Sequence, residues 1–204
     1  MVLDVAAGPE FQFGGNRLNL EIGATQRWLG QRPLLRSARI AAFWSRPIGR
    51  RSELRLSGSG ALVDYRLSDL QDGKSYSAQI GFDHAVSPEM GVTANLGIDR
   101  QIARDRGYAT TDRRVGLTAW RDIGRLTVTA GLEIGKLDAD ARLNLFPHRR
   151  VDRHVRLSFG ATFRQLQFHG FAPLARFSLE RNRSTVELYD YRRAQTELGI
   201  VRAF

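Results

Sequence analysis

Apolar and polar side chains alternate with a period of two through nearly the whole chain, in segments of about 10 to 14 residues. From Arg17 to Trp28, Leu18, Leu20, Ile22 and Ala24 fall on one face, while Asn19, Glu21, Gly23, Thr25 and Arg27 fall on the other. A helical stripe would repeat at three and four residues, which fits none of this. The alternation returns in Ala38, Ile40, Ala42 and Trp44, in Leu54, Leu56, Gly58, Gly60 and Leu62, and in Tyr76, Ala78, Ile80 and Phe82. It continues through Val92 to Ile98, Val115 to Ala119, Leu126 to Ile134, Val155 to Phe163, Ala175 to Leu179 and Leu198 to Phe204. Ten strands are predicted after Asn16, and Val2 to Phe13 reads as an eleventh that turns at Gly14, Gly15 and Asn16. No helix is predicted.

Such segments are about twice the usual 5 to 6 residues of a strand in a globular sheet, and near the 9 to 11 that cross a bilayer at a tilt. Connections are expected to alternate in size. Short turns are predicted at Gly14 to Asn16, Pro47 to Arg50, Ser87 to Met90, Asp122 to Arg125 and His169 to Ala172. Longer polar loops are predicted at Gly30 to Leu34, Leu67 to Gly73, Arg104 to Arg113, Asp138 to Arg153 and Arg183 to Arg193. Short turns on one side and long loops on the other are how outer-membrane barrels are built.

A soluble barrel with an oily interior alternates in the same way, and the composition of the polar face helps to choose between the two. Bulk water favours Lys and Glu, whereas this face carries small residues such as Ser57, Ser59, Thr93, Gly97, Gly131, Ser158 and Thr162, which suit a crowded lumen. Among them stand Glu21, Arg39, Glu53, Arg55, Glu133, Arg156, Arg164, Arg176, Glu180 and Glu197, acids and bases able to neutralise one another across strands. Trp28, Trp44, Tyr76 and Phe204 lie on the apolar face near segment ends, where an aromatic girdle sits. The expected fold is therefore all-β, an antiparallel up-and-down transmembrane β-barrel.

Charge and composition narrow the function. The balance of 31 Lys and Arg against 21 Asp and Glu gives a net +10, which points to nucleic acid or anionic lipid. Only Lys74 and Lys136 are lysines, and no basic stripe or recognition helix emerges, so nucleic acid is not an expected partner. Arginines of the long connections, Arg149, Arg150, Arg153, Arg192 and Arg193, are placed to meet the phosphates of lipopolysaccharide. With no cysteine, thiolate zinc sites, disulfides and cysteine nucleophiles are excluded. His84, His148, His154 and His169 are far apart; His148 and His154 share a predicted loop with Asp138, Asp140 and Asp152, a pattern that polar loops reach by chance. Gly58 and Gly60 precede no Lys-Ser/Thr and no helix, so they form no phosphate loop. No catalytic group, metal or cofactor is expected, and the chain is expected not to be an enzyme.

Met1 to Gly15 has no basic start and Asp4 interrupts its apolar run, so it is not a secretory signal peptide. Eleven strands leave an odd count, whereas bacterial single-chain barrels have even ones. An open sheet edge in hydrocarbon leaves N–H and C=O groups without partners. A single domain over residues 1–204 is thus expected, the C-terminal part of a larger barrel.

His169 to Phe204, HGFAPLARFSLERNRSTVELYDYRRAQTELGIVRAF, resembles the end of the surface lipoprotein assembly modifier (Slam) barrel. That family's pattern is a GFTP strand opening followed by ERNxSNIPLYDYxRxRVELGLxRxF. Gly170, Phe171, Pro173, Glu180, Arg181, Asn182, Ser184, Leu188, Tyr189, Asp190, Tyr191, Glu197, Leu198, Gly199, Arg202 and Phe204 match, while Val186 and Glu187 stand where Ile and Pro are common. Ala7 to Ser37 and Lys74 to Val92 are similar to earlier strands of the same barrel. The resemblance implies a periplasmic helical-repeat domain followed by a barrel of about 14 strands. Together these would move lipoproteins or related secreted proteins across the outer membrane. No 34-residue helical repeat is present in this sequence. Implied partners are the client protein, outer-membrane lipid with lipopolysaccharide, and the barrel-insertion machinery, which reads a terminal strand like Leu198, Ile200 and Phe204. A passive porin-like channel and a soluble β-sheet binding module are the alternatives.

Overall fold

In the computed structural model, residues 1–166 and 168–202 are described. The period-two pattern folds into one antiparallel up-and-down sheet. Its strands are β1 (Val2–Ala7), β2 (Glu10–Phe13), β3 (Asn16–Leu29), β4 (Arg32–Ile48), β5 (Ser52–Tyr65), β6 (Gly73–Ser87), β7 (Met90–Ala103), β8 (Thr110–Ile123), β9 (Leu126–Arg142), β10 (Arg149–Phe163), β11 (Phe171–Ser184) and β12 (Tyr191–Arg202). Each pairs with its sequence neighbour except that β1 and β2 both lie along β3. These two are halves of one strand, because Ala7 faces Ile22 and Glu10 faces Asn19 in an unbroken register. Pro9 cannot donate to the ladder and so interrupts it, while the Leu20 amide still reaches the Pro9 carbonyl at 3.1 Å. β1 and β12 form the sheet's two edges, and the sheet is not closed.

Strands β3 to β12 run 12 to 17 residues, beyond the bounds the sequence suggested, and the connections shrink accordingly. Gly30 to Leu34, expected as a loop, is a tight hairpin: Leu29 pairs with Arg32, and Gly30 takes φ +61, which glycine adopts without strain. Asp138 to Arg153 was expected as one long loop, yet only residues 143–148 connect, because β9 continues to Arg142 and β10 starts at Arg149. The turn expected at His169 to Ala172 is wider, since β10 ends at Phe163 and a 3₁₀ turn at Arg164–Leu166 intervenes. The remaining connections follow the expected alternation, with residues 88–89 and 124–125 on one side and 66–72, 104–109 and 185–190 on the other.

The two faces differ in exposure in the reverse sense of a soluble sheet. Apolar-face residues stand in the open, with Ile22 at 69%, Ile40 at 66% and Leu96 at 57%, whereas Thr93, Gly97, Thr118, Gly131 and Ser158 opposite are half-buried. Side chains crowd on the inside of a bend and splay on its outside, so the polar face is the inner one. Among the described residues, buried hydrophobics are few and mostly alanine, and Val186 is the largest fully buried side chain. These residues form one layer, with no apolar core between layers.

Candidate functional site

The inner face is the candidate site, and its chemistry is set by register. Because directly opposed residues share a face, Arg55, Gly81, Asn95, Gly116, Glu133, Arg156, Glu180 and Arg193 form one row across β5 to β12. At its β10–β12 end, Glu180 accepts from Arg156 Nη2 at 2.8 Å, from Arg193 Nη2 at 2.7 Å and from the Tyr191 hydroxyl at 2.5 Å. Arg156 reaches Glu133 at 3.9 Å on its other side. Of the predicted interior charges, Arg55 pairs with Asp83 and Arg176 with Glu197 at 3.7 Å. Arg39 bridges Asp4 at 3.4 Å and Glu21 at 4.0 Å. Glu53, next to Asp83 in the ladder, makes no ion pair within 4 Å among the described residues. Arg164, expected on the strand, sits in the 3₁₀ turn beyond it and holds Asp122 at 2.9 Å.

Glycines make room for these groups. The His154 imidazole lies over Gly135, and the Trp120 indole covers Gly91, its Nε1 only 2.6 Å from where a Cβ would stand. Trp120 was not singled out by the sequence, although its parity with Thr118 placed it on this face. The interior retains an open depression of about 510 Å³ against Glu10, Arg17, Asn19, Glu53, Arg55 and Gln79. A second, apolar trough of about 760 Å³ lies outside, floored by Ala42, Gly58 and Gly60.

The YDY motif closes a loop. Asp152, 2% exposed, accepts from Ser184 Oγ at 2.6 Å and Arg150 Nε at 2.9 Å. The Arg150 guanidinium in turn lies 3.5 Å from the Tyr189 ring centroid, a cation–π contact. Asn182 Nδ2 donates to the Tyr189 carbonyl at 2.6 Å, and Thr185 ties to the backbone of Arg149 and Val151. The Arg181 guanidinium bonded to Asp190 holds its carboxyl below the usual carboxylate range. Arg181, Asn182, Ser184 and Tyr189 therefore order residues 185–190 against β10 and β11. Tyr191 starts β12 and turns its hydroxyl inward.

Of the arginines expected to meet lipid phosphate, Arg150 pairs with Asp152 and Arg193 with Glu180. His154 sits on β10 facing Asp112 at 3.9 Å, apart from His148 in the loop. His84 contacts Ser52 Oγ at 2.9 Å. Among the described residues no three His, Asp or Glu side chains gather as a metal cage. The bidentate Arg100–Asp140 pair, both bonds 2.6 Å, also went unnoticed in the sequence, because it spans β8 on the outer face. Gly170, Phe171 and Pro173 open β11 at its turn end, and Phe204 lies outside the described residues. No family model matches the chain, and no curated protein matches it.

Proposed function

We propose that this chain is barrel wall of the bacterial outer membrane, in a protein of the surface lipoprotein assembly modifier kind, and that it assists passage of lipoproteins or related secreted proteins to the cell surface. The carrying observation is the inverted exposure of the two faces: Ile22, Ile40 and Leu96 in the open, Thr93, Thr118 and Ser158 tucked inside. Water disfavours so much exposed hydrocarbon, and lipid does not. The client role is supported by the resemblance of His169 to Phe204, and the loop ordered by Asp152, Arg150 and Tyr189 gives those motif residues a shared structural job. The polar inner face offers passage, with the Glu180 cluster tying β10, β11 and β12 together. No chemistry by the chain itself is part of this reading.

The test uses cells whose client lipoprotein is followed by surface proteolysis. Neutralising Glu180→Gln with Arg156→Gln is expected to lower client display several-fold at unchanged outer-membrane abundance. Unchanged display would overturn the export role. The open polar depression beside Arg55 favours a second reading, a porin-like channel. That reading predicts steady conductance in planar bilayers and client display independent of the protein. A soluble binding module would instead purify without detergent.

A further inference from the structure

On the outer face, hydrophobic rows give way abruptly to cations at the end that carries residues 104–109, 143–148 and 185–190. Val115, Ile134 and Val155 stand side by side on β8, β9 and β10, at 42%, 46% and 43% exposure. Two residues further along the same face, Arg113, Lys136, Arg153 and Arg183 stand side by side on β8, β9, β10 and β11. All four are exposed. Adjacent strands lie about 4.8 Å apart, so four like charges share about 15 Å of sheet. Like charges directly opposed across a ladder destabilise it.

Asp138 offsets them in part, and Asp190 interacts with Arg183 at longer range. Asp138 approaches Lys136 at 3.0 Å and Arg113 at 3.4 Å, and is shared with Arg149 at 3.9 Å. Arg153 and Arg183 form no ion pair within 4 Å among the described residues. The opposite end of this face is different. There Arg46, Arg121 and Arg202 stand on the non-adjacent strands β4, β8 and β12, on the face that also carries Phe82, Phe163 and Phe171. The cation row is thus confined to one end and borders exposed hydrocarbon directly, an arrangement complementary to an amphiphile with an anionic head.

We infer that Arg113, Lys136, Arg153 and Arg183 bind the phosphate-bearing head group of a membrane lipid whose acyl chains lie along β8 to β10. Guanidinium groups match phosphate oxygens in pairs, and a head with two phosphates spans the row better than one. The inference rests on the membrane reading above and adds a named lipid site to it.

The test places the purified barrel that contains this sheet in phosphatidylcholine nanodiscs and titrates diphosphorylated lipid A, read by native mass spectrometry. Arg153→Gln with Arg183→Gln is expected to weaken lipid A binding about tenfold or more, since each cation near an anionic surface contributes about 1 kcal/mol. Arg46→Gln with Arg121→Gln, at the other end of the same face, is expected to leave binding unchanged. Equal binding by both double variants overturns the site. Displacement of lipid A by equimolar pyrophosphate assigns the row to free anions and overturns the lipid assignment. A barrel that enters nanodiscs without preferring lipid A overturns this site alone; one that stays soluble without detergent and out of them overturns the membrane reading as well.

Discussion

Asp152 and Asn182 are the polar side chains the fold buries most completely, at 2% and 4% exposure, and both serve the connection at residues 185–190. A buried carboxylate needs every oxygen satisfied, and Asp152 meets this with Ser184 and Arg150. Truncating it as Asp152→Ala leaves the Arg150 guanidinium and the Ser184 hydroxyl without that partner, a loss of about 2 to 3 kcal/mol of local stability. Faster amide exchange at Val186 to Asp190, with the β5 to β8 ladder unchanged, is the expected result; Asp152→Asn should retain part of the protection. None of these pairings could be read from the residues individually. Ser184 and Asp152 are thirty-two positions apart, and they meet only because β10 and β11 share a register.

At the scale of strands and turns, most of the architecture was legible. Strand order, hairpin connectivity and the two-faced character follow from a local period. Glycine-first turns such as Gly124 with Arg125 mark hairpins, and Gly30 with Gln31 carries the same signal, though the surrounding polar residues suggested a loop there. Strand ends were harder, because from Lys136 to Arg142 the alternation inverts, with Lys136, Asp138, Asp140 and Arg142 on the face that was apolar and Leu137, Ala139 and Ala141 on the other, and Arg149 to Arg153 is mostly polar on both faces. Inner-face packing was partly legible as well, since small residues alternate with charged ones. The structure adds which glycine receives which neighbour. Gly135→Val would displace His154 from its seat and should destabilise the sheet by about 1 to 3 kcal/mol, as overpacking does. Gly199→Val, with nothing within 4 Å of its added Cβ, is the control expected to change little. Thermal midpoints in detergent would separate the two.

For the whole molecule, exposed area is the governing quantity. A compact protein of this mass presents about 9,600 Å² to solvent, and this chain presents 13985 Å². The excess follows from a single layer whose hydrocarbon faces outward. Leu132, 46% exposed between Leu117 and Leu157 on the outer face, makes the orientation measurable. In a lipid-facing belt Leu132→Arg should cost about 2 to 4 kcal/mol near mid-bilayer, whereas an exposed site on a soluble sheet would change by about 0.5 kcal/mol or less. Unfolding by urea from lipid vesicles, compared with Thr118→Arg on the inner face, distinguishes these outcomes.

Period, spacing and turn residues belong to neighbouring positions along the chain, so the sequence alone determined the all-β content, the succession of hairpins and the segregation of oily from polar side chains. The direction in which the sheet bends, the partners of each charge and the alignment of Arg113, Lys136, Arg153 and Arg183 were decided only by tertiary structure. Those properties depend on register between strands, which hairpin geometry and cross-strand packing set jointly and no single segment encodes.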